Sequence, residues 1–210
     1  MKQEFTDIYK NHLWGDGVNE PLSGVGSNLF YTENIVKELP IFLRKFRIQS
    51  MYDAACGDFT WMPLVLKQCP TLVYMGGDVV DDVIEMNIKK HPEFHFTTLD
   101  MTKDPLPSLD LVFARDVLMH LPEQYIQDFL DNFRRSEAKY LMATTYLFST
   151  IGYWGNKYDG NFDIPIGGFR AVNLFDEPYN LPAEIIYRIK DYVPGHPERE
   201  LCVWSREQLL

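Results

Sequence analysis

From about Gln49 onwards the chain alternates short apolar runs with longer windows in which apolar residues recur every three or four positions. QSMYDAA, LVYMGGDV, FHFTTLD, LDLVFARD and AKYLMATTY read as strands. TWMPLVLKQC, DDVIEMNIKKH and PEQYIQDFLDNFRRS read as the helices between them. Val83, Ile84 and Ile88 mark the expected buried stripe of the second helix, and Tyr125, Phe129, Leu130 and Phe133 that of the third. Pro63 lies early enough in the first to occupy a first turn. Strands separated by helices of this length imply right-handed βαβ crossovers and a parallel sheet covered on both faces. The tail breaks the rhythm: AEIIYRIKDYV and ELCVWSR flank the polar turn PGHPER, close to a hairpin signature. Ahead of the sheet, residues 1–48 hold two short helix candidates around the loop GDGVNEPLSGVGSN.

Composition narrows the class. The 210 residues are 46% hydrophobic and 24% charged, which suits one globular domain with a substantial core. No window approaches the roughly 18 uninterrupted apolar residues that span a bilayer. The opening MKQEFTDIYK lacks the apolar core of a signal peptide, so a cytoplasmic protein is expected. Cys56, Cys69 and Cys202 form no C-x-x-C pair, which points to reduced thiols and no zinc site. A net charge of −10 argues against nucleic acid as partner, because phosphate binding needs clustered Lys and Arg. A neutral or cationic small molecule, or a neutral glycan, suits this balance better. Oligomeric state is not legible.

In an open α/β sheet, ligands bind outside the carboxyl ends of the strands, so the polar residues there are informative. Strand one ends in Asp53 and Cys56-Gly57-Asp58, strand two in Asp78, strand three in Asp100, and strand four in Arg115-Asp116. Carboxylates thus line one rim, where a cationic or hydroxyl-rich ligand would relieve their repulsion. The G-x-G-x-x-G dinucleotide fingerprint is absent, and so is a G-x-x-x-x-G-K-[ST] phosphate loop. A ligand with a ribose and a positive charge but no phosphate fits better. Asp78, about twenty residues beyond the first turn, is suited to the ribose hydroxyls.

MYDAACGDFTWM, YMGGDVVDDVIEMN, FTTLDMT and LDLVFARDVLMHLP, in that order and spacing, resemble the class I S-adenosylmethionine-dependent methyltransferases. The first motif departs from the commoner multi-glycine form and is similar to a subgroup with D-x-x-C-G-D-F-x-W and an upstream S-G-x-G-S loop. The resemblance implies a Rossmann-like, seven-stranded, mostly parallel sheet with a C-terminal antiparallel hairpin and helices on both faces. It divides the chain into an N-terminal cap or lid (1–48), a cofactor-binding core (49–146), and an acceptor loop with terminal hairpin (147–210). The implied cofactor is S-adenosylmethionine, leaving as S-adenosylhomocysteine. The turn Asp53, Ala55, Gly57, Asp58 and Phe59 would lie under its methionine part. Asp78 would hold the ribose, and Asp100 and Met101 would flank the adenine. Arg115 and Asp116 would face the sulfonium and the acceptor, with Trp14, Ser23, Gly24 and Ser27 as the lid.

A hydroxyl acceptor must lose a proton, and Asp116 and His120 are the candidate bases; His120 in a purely structural role would brace its loop on a backbone carbonyl. Residues 153–182 are rich in Gly, Asn and aromatics and follow strand five, where this fold builds its acceptor pocket. The subgroup pattern N-x-D-I-x-x-G-x-x-R-x-x-N-L is matched by Asn161, Asp163, Ile164, Gly167, Arg170, Asn173 and Leu174. Asp163, Arg170 and Asn173 suit a polyhydroxy acceptor, unless Asp163 and Arg170 simply pair with each other. Tyr153, Trp154 and Tyr158 are suited to stack on a sugar face, with Tyr146 at the end of strand five beside them. The expected activity is O-methylation of a small-molecule or glycan hydroxyl, a sugar favoured. Methylation of a nitrogen or a carboxyl group is the alternative, as is a SAM-binding domain without chemistry. A metal would require Asp116, His120 and Asp163 to converge.

Overall fold

The computed structural model describes residues 1–146, 160–196 and 198–210. Strands β1 (Ser50–Ala54), β2 (Val73–Asp78), β3 (His95–Thr98), β4 (Leu111–Ala114), β5 (Tyr140–Tyr146), β6 (Tyr187–Lys190) and β7 (Arg199–Ser205) form one sheet in the order β3-β2-β1-β4-β5-β7-β6. The first five strands pair in parallel, and β7 runs antiparallel to both β5 and β6. The expected terminal hairpin is present, with β7 inserted between its partner β6 and the parallel body.

Helices α1 (Lys2–Lys10), α2 (Leu29–Lys45), α3 (Met62–Leu66), α4 (Asp81–Lys90), α5 (Glu123–Arg135) and α6 (Arg206–Leu209) surround the sheet. Because successive strand residues point to opposite faces, each strand divides between two cores. Tyr52, Ala54, Val112, Ala114, Leu141 and Trp204 pack with Phe5 of α1 and with Phe129 and Phe133 of α5. Met51, Leu111, Phe113, Met142 and Val203 pack with Ile35, Leu39 and Phe42 of α2 and Met62 and Val65 of α3. A sheet buried on both faces explains why its strands read as nearly continuous apolar runs. Among the described residues no helix is long and apolar enough to cross a membrane.

Two expectations change. The second N-terminal helix is not short: α2 runs 17 residues, straight through Pro40. Proline lacks the N–H that would bond the carbonyl four residues earlier; that carbonyl, on Val36, accepts instead from Gln68 Nε2 at 3.0 Å. Ile88 was expected on the buried stripe of α4, but it is 46% exposed, and Asn87 takes the inward position with Val83 and Ile84. Asn87 is drawn in because its side-chain amide donates to the Gly57 carbonyl at 2.7 Å.

Phe129→Ala, which empties a fully buried aromatic position, is expected to lower unfolding free energy by about 3–5 kcal/mol in urea titrations. Ile88→Ala should change it by less than about 1 kcal/mol.

Candidate functional site

At the carboxyl ends of β1, β2 and β4 the structure holds a cavity walled by residues of the N-terminal segment and of the loops that follow these strands. The chain turns sharply as it leaves β1. Ala55 (φ +66°), Gly57 (φ +56°) and Phe59 (φ +58°) all lie in the left-handed region, which is strained for the two residues that carry a Cβ. Gly57 is required twice over, because a Cβ there would also collide with the Ser23 hydroxyl. The turn is tied down from several sides. Cys56 N–H donates to Gly77 O (2.9 Å), Gly57 N–H to Asp78 Oδ2 (3.2 Å), and Asp58 N–H to Ser23 Oγ (2.8 Å).

Asp53, Asp78 and Asp116 line the cavity. Asp53 lies within β1, 5% exposed, and its Oδ2 accepts from Tyr74 O–H at 2.8 Å. Asp78 ends β2, 6% exposed, and accepts from Gly57 N–H and, on Oδ1, from Val80 N–H at 3.0 Å. Burial disfavours their charged forms and raises Asp53 to about 7 and Asp78 to about 6. Arg115 is the one Lys or Arg side chain among the lining residues.

The far wall is a buried charge cluster. Arg115 grips Asp191 with Nε and Nη2, both at 2.9 Å, and Nη2 also donates to Gly26 O at 3.0 Å. Arg199 donates through Nε to Asp191 O (2.7 Å) and through Nη1 to Tyr146 Oη (3.2 Å), while its Nη2 lies 2.8 Å from Asp116 Oδ2. Burial alone would raise the Asp191 carboxyl, but Arg115 and Arg199 outweigh it and hold the group below the usual carboxylate range. Asp116 has φ +54°; its Oδ1 is buried and has no hydrogen-bond partner among the described residues.

His120 closes the arrangement. Its Nδ1 sits 2.7 Å from Gly168 O. A carbonyl only accepts, so Nδ1 carries the proton and, in the neutral ring, Nε2 keeps its lone pair. Burial pushes the imidazole below its ordinary value, outweighing the Gly168 bond and the Asp116 charge that oppose the shift. Trp14 stacks on His120 with ring centroids 4.6 Å apart. The glycine-containing loop lies over the same space. Tyr9 Oη and Ser23 Oγ are hydrogen-bonded at 3.0 Å, and Gly26 packs so closely on Asp116 that a Cβ would come within 2.8 Å of Oδ2.

Of the expected cofactor residues, Trp14, Ser23, Ser27, Asp53, Ala55, Gly57, Asp78, Met101 and Arg115 line this cavity, together with Asp116 and His120. Others lie elsewhere. Phe59 is buried among Tyr74, Phe94 and Phe96 in the second core. Asp58 and Gly24 shape the loops behind the wall: Asp58 bonds Thr60 and Ser23, and Gly24 (φ +92°) turns the chain against Trp14. Asp100 Oδ1 accepts from the backbone and hydroxyl of Thr102, so it is Leu99 and Met101 that reach the cavity. Tyr146 is buried against Arg199 and Met119.

In the acceptor loop the side chains named from sequence bond to other protein groups. Asp163 and Arg170 do not pair. Asp163 Oδ1 accepts from Glu123 N–H and Ile164 N–H, capping the first turn of α5. Arg170, 1% exposed, donates to Leu121 O (2.6 Å) and Tyr179 Oη (3.1 Å). Asn173 bonds Asp176, Phe175 and Asn161. Their bonds run to α5, to Leu121 and within the loop, and among the described residues no three His, Cys, Asp or Glu cluster as metal ligands. Tyr153, Trp154 and Tyr158 lie outside the described residues.

The cavity also contains residues that the strand ends did not announce. Phe5 and Tyr9 come from α1, whose i, i+3, i+4 apolar face was readable in principle. Asp191 and Arg199, at the hairpin, stand behind the wall, held against Arg115 and Asp116, and carry no local signal.

No family model matches the chain, and no curated protein sequence matches it. Solved structures do. Magnesium protoporphyrin IX methyltransferase (ChlM) from Synechocystis PCC 6803 with bound SAH superposes at TM-score 0.65 and 15% identity, over 98% of this chain and 97% of that one. Human N-acetylserotonin methyltransferase in complex with SAM gives 0.60 and 12% over 96% of this chain and 56% of that one. The methyltransferase domain of bacterial CtHen1-CN gives 0.59 and 18% over 85% and 100%. The likeness is one of fold: the chain has the Rossmann-like fold of these S-adenosylmethionine-dependent methyltransferases.

Proposed function

We propose that this chain binds S-adenosylmethionine in the cavity at the strand ends and methylates a hydroxyl group, with His120 as general base. The residues present fit the cofactor. Two buried acids that would rather be neutral face a space suited to a cation, Asp78 stands where ribose hydroxyls would meet it, and Leu99, Met101 and Leu121 offer an apolar wall for a flat base. When bound, S-adenosylmethionine supplies an electrophilic methyl on a sulfonium and leaves as a neutral thioether. Arg115 and Ser27 are suited to its carboxylate end.

The observation that carries the acceptor half is the bond between His120 Nδ1 and Gly168 O. It holds the imidazole in one tautomer, and burial keeps it neutral near pH 7, so Nε2 is available to take a proton. The base role is not given to Asp116, whose Oδ2 is held by Arg199 at 2.8 Å. Its contribution is electrostatic: it stabilises the imidazolium that forms. Most of the remaining catalysis comes from holding the acceptor oxygen in line with the methyl, while the lid residues Trp14 and Ser23 exclude water. Such a base is needed for a hydroxyl and not for an acceptor already ionised at neutral pH.

Binding is tested by calorimetry and thermal melting with S-adenosylhomocysteine and S-adenosylmethionine. Asp78→Asn should weaken both by about 10- to 100-fold, the worth of a hydrogen bond to a charged group. No detectable binding to the parent protein overturns the reading. The pH dependence has a definite sign. Unfolded aspartates release their protons near 3.8, whereas Asp53 and Asp78 hold theirs to about 7 and about 6. Between about pH 4 and 7 the folded chain therefore binds more protons, and these two groups make ligand-free stability fall as pH rises. Asp53→Asn should flatten that fall, and the melting shift produced by S-adenosylmethionine should be larger at pH 8 than at pH 5.5.

Turnover is tested with labelled S-adenosylmethionine against phenols, sugars, amines and nucleic acid. His120→Asn should lower kcat by about 10²- to 10⁴-fold while leaving S-adenosylhomocysteine affinity within about threefold. In the parent protein kcat/KM should fall on acidification with a midpoint below the ordinary imidazole value of 6.5. Methylation of amines or nucleic acid with hydroxyl compounds untouched would overturn the acceptor assignment.

A further inference from the structure

Phe169 is a large apolar side chain left 46% exposed, on a segment held unusually firmly beside His120. Four hydrogen bonds clamp residues 167–170 onto the turn that carries the histidine: Gly167 N–H to His120 O (2.9 Å), Arg170 N–H to Met119 O (3.2 Å), Arg170 Nη1 to Leu121 O (2.6 Å), and His120 Nδ1 to Gly168 O. Gly167 takes φ +78°, and a Cβ there would strike Ile8 of α1. Glycines at 167 and 168 let the backbone lie close, so Phe169 is the side chain this clamp presents. Its ring centroid is 6.0 Å from that of His120, and Tyr146 braces it edge-on at 6.4 Å and 81°. The ring thus packs on His120 and Tyr146 with one side and leaves the rest of its apolar surface open.

Resting on the hydroxyl-methylation reading above, we infer that Phe169 is the specificity-determining platform on which the acceptor stacks, and that the methylated hydroxyl is carried by an aromatic ring. Stacking explains the exposed phenyl, and the chemistry of the base agrees. In a Ser-His-Asp arrangement a carboxylate hydrogen-bonds the imidazolium; here Nδ1 bonds a neutral carbonyl, Asp116 acts through its charge, and burial outweighs both. A phenol, with a pKa near 10, asks far less of such a base than an alkyl hydroxyl near that of water, about 16. In the step, the phenolic proton passes to Nε2 and an oxygen electron pair bonds the methyl carbon. The carbon–sulfur pair stays on sulfur, and the imidazolium returns its proton to solvent. A sugar, the acceptor favoured by composition, has a less acidic hydroxyl, and the polar side chains expected to hold it are occupied elsewhere.

The probes are 2-naphthol and 4-methylumbelliferone as phenols, with cyclohexanol and methyl α-D-glucopyranoside as non-aromatic rings, in the presence of labelled S-adenosylmethionine. The phenols should be methylated with kcat/KM well above that of the other two. Phe169→Ala should raise the KM for 2-naphthol by roughly tenfold, and Phe169→Trp should keep it near the parent value. Both variants should retain S-adenosylhomocysteine affinity within about twofold. The inference is overturned if the sugar or cyclohexanol is preferred, if Phe169→Ala leaves KM unchanged, or if neither phenol is methylated or bound by the S-adenosylhomocysteine-loaded protein. Failure of the underlying reading looks different: the parent protein then binds no S-adenosylhomocysteine, or His120→Asn turns over at the parent rate.

Discussion

Arg115 and Asp191 form a two-pronged ion pair with almost no access to water, and much of the site follows from it. Burying a guanidinium is tolerated only when its donors are occupied and its charge is matched. Here the match is made by a four-membered cluster, with Arg115 and Arg199 balancing Asp116 and Asp191. Its members come from the end of β4 and from both sides of the terminal hairpin, and Gly26 O of the N-terminal loop supplies a further acceptor. One electrostatic requirement thereby positions three distant segments around the same cavity.

The opposite wall works by the reverse logic. Asp53 and Asp78 are buried with hydroxyl and backbone donors but without a close ion pair of their own, and their charged forms are disfavoured. A well-paired cluster beside two under-paired acids makes the cavity electrostatically lopsided, firm on the side of Arg115 and receptive to positive charge on the other. This is the arrangement expected of a site whose ligand brings its own cation, and it agrees with the proposed cofactor without any phosphate-binding loop.

The acceptor side is organised by backbone bonds instead of charges. The clamp of residues 167–170 on the His120 turn sets the tautomer of the base, uses the Arg170 guanidinium as an internal strut, and leaves Phe169 outward. The same bonds therefore account for the buried Arg170 and for the exposed Phe169.

Periodicity along the chain was enough to place the five parallel strands, their crossover helices and the terminal hairpin, because two-sided burial writes itself into local sequence as apolar runs and helical stripes. The acids at the strand ends were legible for a related reason: strand polarity alone puts Asp53, Asp78 and Asp116 on one rim. Side-chain partners were not legible. Asp163, Arg170 and Asn173 have the chemistry of ligand-binding residues, and only tertiary structure assigns them to α5, to Leu121 and to their own loop. Asp191 and Arg199 carry no local mark, yet packing brings them against Arg115 and Asp116. Local pattern reports which residues are buried and where strands end; which donor meets which acceptor depends on contacts between segments far apart in the chain, and those exist only once the sheet has formed.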